Sequence, residues 1–167
     1  MNDYIKLPIN NYPLELSAAL LIIKNEGYRS MPYADTTGNK TIGYGFNMAD
    51  LLGTWNTMKK TIAWEILFSK ISILKGKLEE KIPFFSENCN YCLSAQIVLI
   101  DMAYNLGIYG LMAFNTFLGY IKQGDIASAI DDLKNNTEWY KQVPDRANRD
   151  IANLMECLNS NPPLLIL

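Results

Sequence analysis

Apolar residues recur at helical spacing along most of this chain, with one interruption near the start. Between Leu14 and Lys24 the positions Leu16, Ala19, Leu20 and Ile23 form one such stripe, which predicts an amphipathic helix buried on that face. Gly27 follows Glu26 where a helix-ending glycine belongs, so Glu26 is expected on the last turn. Then the period changes. In "YRSMPYADTTGNKTIGYGFNM", Tyr33, Asp35, Thr41 and Ile42 favour short extended segments around a turn at Thr36-Thr37-Gly38-Asn39, and Gly43 and Gly45 mark a second turn. The expectation is a small antiparallel sheet of three short strands. Residues 57–81 return to a strong helical pattern through Trp64, Leu67, Phe68, Ile71 and Leu74, which Pro83 ends. A further helix runs from about Leu93 to Leu106 and stops at Gly107. Then come "GLMAFNTFLGYIKQGD", "IASAIDDLKNN" and "RANRDIANLMECLNS", each broken by Gly, Asn or Pro.

This pattern predicts an α+β, mostly helical fold. Residues 1–13 form an N-terminal arm and 14–56 a small α/β lobe. Residues 57–82 are the helix between lobes, and 83–167 form a helical lobe. A cleft between the lobes is expected. The aromatic and methionine positions of the helices read as core.

Composition narrows the chemistry. The 167 residues are 49% apolar, with 10 Tyr, 6 Phe and 3 Trp, which suffices for a sizeable core. Net charge is −2, giving no support for nucleic-acid binding or for attraction to a polyanion. The chain has no histidine, which removes Ser-His-Asp and Cys-His triads and HExxH zinc chemistry. Acid–base work must then come from carboxylates, Lys, Tyr or Cys. Cys89 and Cys92 form a CxxC without a second pair, so no metal site is expected. The odd count of three, with Cys157, reads as free thiols rather than a disulfide framework. The polar, proline-broken start lacks the features of a signal peptide, and the apolar run Ala18–Ile23 is too short for stable membrane insertion. The expected location is the cytoplasm of the producing cell, with release or delivery before any action elsewhere.

The segment between the first helix and the hairpin carries the candidate chemistry. Cleaving a glycosidic bond takes a proton donor for the leaving oxygen and a carboxylate that activates water or attacks the sugar. Glu26 lies at the negative end of a helix, which favours a protonated carboxyl. Asp35 lies at the hairpin, where it can stay ionised, and the Thr41 hydroxyl on the return strand can hold a water against it. A Glu at a helix end and an Asp before a turn are also ordinary structural choices.

"EGYRSMPYADTTGNKTIGYG" resembles the active-site segment of the phage T4-type lysozymes, the muramidases of glycoside hydrolase family 24. That family's pattern is Glu, eight residues, Asp, five residues, Thr, which Glu26, Asp35 and Thr41 fit without insertion. Downstream, "DMAYNLGIYGLMAF" resembles the family's central helix, and "EWYKQVPDRANRDIANLM" resembles its Trp-Tyr…Pro-x-Arg-Ala-x-Arg segment. The resemblance runs from about residue 15 to 158, in order. It implies a two-lobed lysozyme-like fold. It also implies hydrolysis of the β-1,4 bond between N-acetylmuramic acid and N-acetylglucosamine in peptidoglycan, with inversion and no cofactor. Glu26 would be the acid, with Asp35 and Thr41 placing the water. Asn105 would line the sugar site, and Arg146 would lie close to Glu26 in the substrate site. The setting would be phage lysis or antibacterial attack, by a monomer. An immunity protein or delivery partner belongs to the second setting.

The sequence also departs from the family. Phe46-Asn47 stands where much of the family has histidine after the glycines, which bears on packing, and the strong positive charge of many phage enzymes is missing. Residues 1–13 and the tail "NPPLLIL" have no clear counterparts, and Leu164–Leu167 read as packing on the helical lobe. Two other readings stay open. A lytic transglycosylase needs the acid but no held water, and a non-catalytic wall-binding module would be expected to lose one of the three residues.

Overall fold

A computed structural model describes residues 13–35, 37–85 and 92–160. The expected N-terminal arm (apart from Pro13), Cys89 and the apolar tail lie outside these residues. Helix α1, Leu14–Glu26, leads into strands β1 (Arg29–Ala34), β2 (Lys40–Gly43) and β3 (Phe46–Asn47). Then follow α2 (Lys60–Lys81), α3 (Leu93–Met112), α4 (Asn115–Gln123), α5 (Ile126–Asn136), α6 (Glu138–Gln142) and α7 (Pro144–Ser160). The fold is thus α+β and mostly helical, with a small antiparallel sheet in the order β1-β2-β3.

Helix α1 ends at Gly27, whose φ of 67° no β-carbon favours. Its buried face differs from the expected one. Ser17, Ala18, Ala19, Leu21 and Ile22 are buried, while Leu16, Leu20 and Ile23 are only partly so. The segment "LELSAALLII" is apolar nearly all round, so periodicity alone does not choose a face. The small side chains Ser17, Ala18 and Ala19 lie on the side that packs, against α3 and α2.

In the sheet, Tyr33 pairs with Thr41, and Thr41 in turn with Asn47. The β1–β2 register slips between Arg29 and Tyr33. Pro32 lies in that stretch of an edge strand, where its missing N–H costs no ladder bond. Helix α2 begins later than the pattern predicts, at Lys60 rather than residue 57. The cause is local: the Met58 N–H donates to the Ser30 carbonyl at 2.8 Å and ties this stretch to β1.

Helix α3 is the spine of the core. It is long and apolar enough to cross a bilayer, yet Ala95 and the run from Ile97 to Ala103 are buried inside the protein. Gly107 breaks its helical path with φ 73°, at the expected position. Helices α1, α2 and α7 all pack on it. At its start Cys92 is bonded to Cys157 near the end of α7, with Cα atoms 5.3 Å apart. This corrects the expectation of free thiols for two of the three cysteines. The partners are 65 residues apart in sequence, and only the antiparallel packing of α3 and α7 brings them together.

Candidate active site

Glu26 lies at the junction of α1, the sheet, α3 and α7. The Arg146 Nη1 donates to its Oε1 at 2.6 Å, and the two side chains are 8% and 21% exposed. The other oxygen, Oε2, lies against the main chain of Gly45, where an added β-carbon would stand 2.6 Å from it. Gly45 also has φ 75°. The tight turn between β2 and β3 therefore serves Glu26 twice, through its conformation and through the space it leaves.

Gly45 lines a groove of about 390 Å³ with Phe46, Asn47 and Asp50 from the sheet side, Lys70, Ile73, Leu74 and Lys77 from α2, and Ala103 and Tyr104 from α3. Phe46, the departure noted in the sequence, is buried. It packs edge-on to Tyr44, and Lys70 stands over its ring at 5.9 Å. The Tyr104 hydroxyl donates to the Tyr44 carbonyl at 2.7 Å. Burial pushes that hydroxyl well above its ordinary pKa, and the nearby Glu26 pushes it the same way.

Asp35 is set into the hairpin turn. Its Oδ1 accepts from the Thr37 N–H (2.9 Å), the Thr37 hydroxyl (2.8 Å) and the Asn39 N–H (2.8 Å). Its Oδ2 receives one long contact, 3.4 Å, from Asn39 Nδ2. The Thr37 hydroxyl, followed by the backbone donors, holds this exposed carboxyl below its usual range, so it stays charged. Thr41 is buried, and its hydroxyl donates to the Asn39 carbonyl at 3.2 Å. Asp35 and Thr41 thus share Asn39 as neighbour and make no direct bond. Tyr33, paired with Thr41, links the two halves: burial raises its hydroxyl's pKa, and the charges of Glu26 and Asp35 both add to the rise.

Asn105 is exposed on α3, and its Oδ1 accepts from Trp139 Nε1 at 2.8 Å, which leaves its NH₂ group for another acceptor. Arg146 is committed inside the protein. Besides Glu26 it grips Asp101, with Nε to Oδ2 at 2.7 Å and Nη2 to Oδ1 at 2.9 Å. Asn25 Nδ2 also donates to Asp101 Oδ1 (2.9 Å), and Arg149 Nε donates to Asn25 Oδ1 (2.5 Å). The sequence pattern did not show this polar network of Asn25, Asp101 and Arg149 around Arg146. One signal was available: an Asp inside the apolar run "IVLIDMAY" needs a buried partner. Among the described residues, no group of three or more acidic or cysteine side chains is disposed to hold a metal ion.

A profile of the phage lysozyme family matches residues 23–155. The chain is 26% identical to the pre-baseplate central spike protein Gp5 of Enterobacteria phage T4, over 86% of this chain and 28% of that protein. It is 25% identical to a probable T4-type lysozyme 1 of Dictyostelium discoideum, over 77% of this chain and 87% of that one. The chain therefore spans little more than a quarter of the spike protein but most of the lysozyme's length.

Proposed function

Because the chain belongs to the phage lysozyme family, we propose that it hydrolyses the β-1,4 bond between N-acetylmuramic acid and N-acetylglucosamine in peptidoglycan, with Glu26 as the acid. The observation that carries this reading is the division of labour on the Glu26 carboxyl. Arg146 holds Oε1, which leaves Oε2, beside the groove-lining Gly45, as the oxygen from which a proton would be given. A donor held on one oxygen, with the other beside the groove, suits protonation of a leaving sugar oxygen.

The water is placed from the other side. Asp35 is ionised, its Oδ1 is filled and its Oδ2 is nearly free to accept a proton from water. The Thr41 hydroxyl spends its hydrogen on Asn39, so it meets a water through its lone pairs. A water set between these groups attacks from the face opposite the departing sugar, which gives inversion. Asn105 contributes its NH₂ group to sugar binding. Arg146 acts on substrate through Glu26, since its own donors face Glu26 and Asp101.

The enzyme works on the cell wall after release or delivery, in phage lysis or in attack on another bacterium. The Cys92–Cys157 bond suits an oxidising compartment of that kind. Mass spectrometry of the muropeptides released from purified peptidoglycan tests the reading. Reducing-end N-acetylmuramic acid is the expected product. Mainly anhydro-muropeptides would replace this reading with a transglycosylase, and intact glycan would leave a non-catalytic module.

A further inference from the structure

Asp150 is fully buried on α7, one turn beyond Arg146, and neither of its carboxyl oxygens accepts a hydrogen bond from a described residue. The nearby donors that make bonds make them elsewhere. The Arg146 nitrogens go to Asp101 and Glu26, Arg149 Nε goes to Asn25, and Asn25 Nδ2 goes to Asp101. Among the groups around it is the Asp101 carboxyl, which Arg146 holds from one turn earlier on α7. Two carboxylates cannot bond to each other, whereas a carboxylic acid and a carboxylate can.

We propose that Asp150 is a positioning residue that holds one proton between itself and Asp101, and so leaves Arg146 free to grip Glu26. The proposal rests on the reading of Glu26 as the acid. Three carboxyls, Glu26, Asp101 and Asp150, lie around two guanidiniums, Arg146 and Arg149. Burial, and next the Asp101 charge, push the Asp150 carboxyl well above the usual range, while Arg146 and Arg149 oppose this. The other elements packed on α7 add no donor. On α5 the buried Asp132 accepts from Asn136, and on α6 Lys141 pairs with Glu138. An ionised Asp150 would draw Arg146 toward the two aspartates and loosen its hold on Glu26 Oε1. A neutral Asp150 donates to Asp101 and leaves the guanidinium divided as observed.

The test has two arms. In protein labelled with ¹³C at aspartate carboxyls, one resonance should remain at the protonated shift at pH 7 and vanish in Asp150→Asn. If every aspartate carboxyl in the folded wild type is ionised at that pH, the proposal fails. The second arm compares kcat and KM on soluble glycan strands. Asp150→Asn keeps a donor toward Asp101 and should stay within about threefold of wild type. Asp150→Val has none, and its kcat should fall at least ~10-fold, with KM little changed. Equal kcat in Val and Asn variants would overturn the positioning role. If Val does not fold, an Asn variant whose kcat falls at least ~10-fold does so instead. Wild-type protein that leaves glycan uncut overturns the muramidase reading, and the carboxyl spectrum then decides the shared proton by itself.

Discussion

Arg146 and Glu26 are 120 residues apart in sequence and 2.6 Å apart in space. One ends α1 and the other opens α7, and α3 lies between, holding Asp101 beneath the guanidinium. The position of the Glu26 carboxyl thus depends on the helical core and not on the hairpin that carries Asp35. Arg146→Lys should fold but reach only one of the two carboxyls, because a point charge cannot replace the fork. Its activity should fall about 10-fold, the worth of one charge-assisted hydrogen bond. Arg146→Met should be worse for stability. It strands the buried Asp101, at about 3–5 kcal/mol by denaturant unfolding. A Met variant as stable as wild type would mean that Asp101 is not held by this contact.

Gly45→Ala separates space from conformation. The new β-carbon would be 2.6 Å from Glu26 Oε2 in a residue with φ 75°. Gly124, at the end of α4, has φ 74° and nothing within 4 Å of an added β-carbon, so Gly124→Ala supplies the same backbone strain alone. Both should lose about 1–2 kcal/mol. Only Gly45→Ala should also lose activity, by up to ~10²-fold, because it displaces the reacting group. Equal activity of the two variants would remove Gly45 from the site.

The bond from Cys92 to Cys157 closes a 65-residue span. Alkylation of denatured, unreduced protein should modify only Cys89, leaving the other two protected. Cys157→Ser should cost about 2–4 kcal/mol without reductant. Dithiothreitol should bring the wild type down to the variant and leave the variant unchanged. Three alkylated cysteines would restore the free-thiol expectation.

Stability should depend on pH through Asp150 with a definite sign. Its folded carboxyl titrates well above the usual value, whereas the unfolded one titrates near ~4. The folded state therefore keeps a proton that the unfolded state gives up. The stabilisation is complete below about pH 4 and is lost as pH rises through the folded value. Asp35 and Glu15 run the other way. The Thr37 and Lys75 side chains, respectively, hold them low, so their contribution is lost as pH falls. Denaturant midpoints of wild type and Asp150→Asn across pH isolate the Asp150 part. The wild type should lose ground against the variant as pH rises from 5 to 9. A constant difference over that range would count against a raised carboxyl.

The parts of the site legible in the sequence are those governed by short-range chemistry. Gly27 fixed the end of α1 and hence the place of Glu26, and Gly38 and Asn39 announced the turn that binds Asp35. Gly107 marked the break in α3. What stayed hidden depends on which helix faces meet. The apolar girdle of α1 gave no preferred face, so Ala18 and Leu21 were missed as core. Asp101 meets Arg146 across 45 residues, and Cys92 meets Cys157 across 65. Those pairings follow from the antiparallel packing of α3 and α7, which no local period encodes.

If Asp35 and Thr41 place the water as proposed, their variants should fail differently from Glu26→Gln. The Gln side chain keeps the size of Glu26 but cannot donate an acid proton, so activity should drop at least ~10²-fold with the fold intact by circular dichroism. Thr41→Val keeps shape and removes the lone pairs offered to water. A drop of at least ~10-fold is expected, the worth of one hydrogen bond in the transition state. Asp35→Asn should be hit harder than Thr41→Val. It loses the charge beside the attacking water as well as the acceptor at Oδ2. It also weakens the turn, because Oδ1 ties Thr37 and Asn39. Thr37→Val removes the hydroxyl bond to Oδ1 and the acceptor of Asn39 Nδ2 but keeps the Asp35 carboxylate, which makes it the control for turn damage. If Thr37→Val costs as much activity as Asp35→Asn, the carboxylate acts by shaping the hairpin and the water must be activated elsewhere. If Asp35→Asn is far the worse, and its residual products still carry a reducing-end N-acetylmuramic acid, Oδ2 is the base.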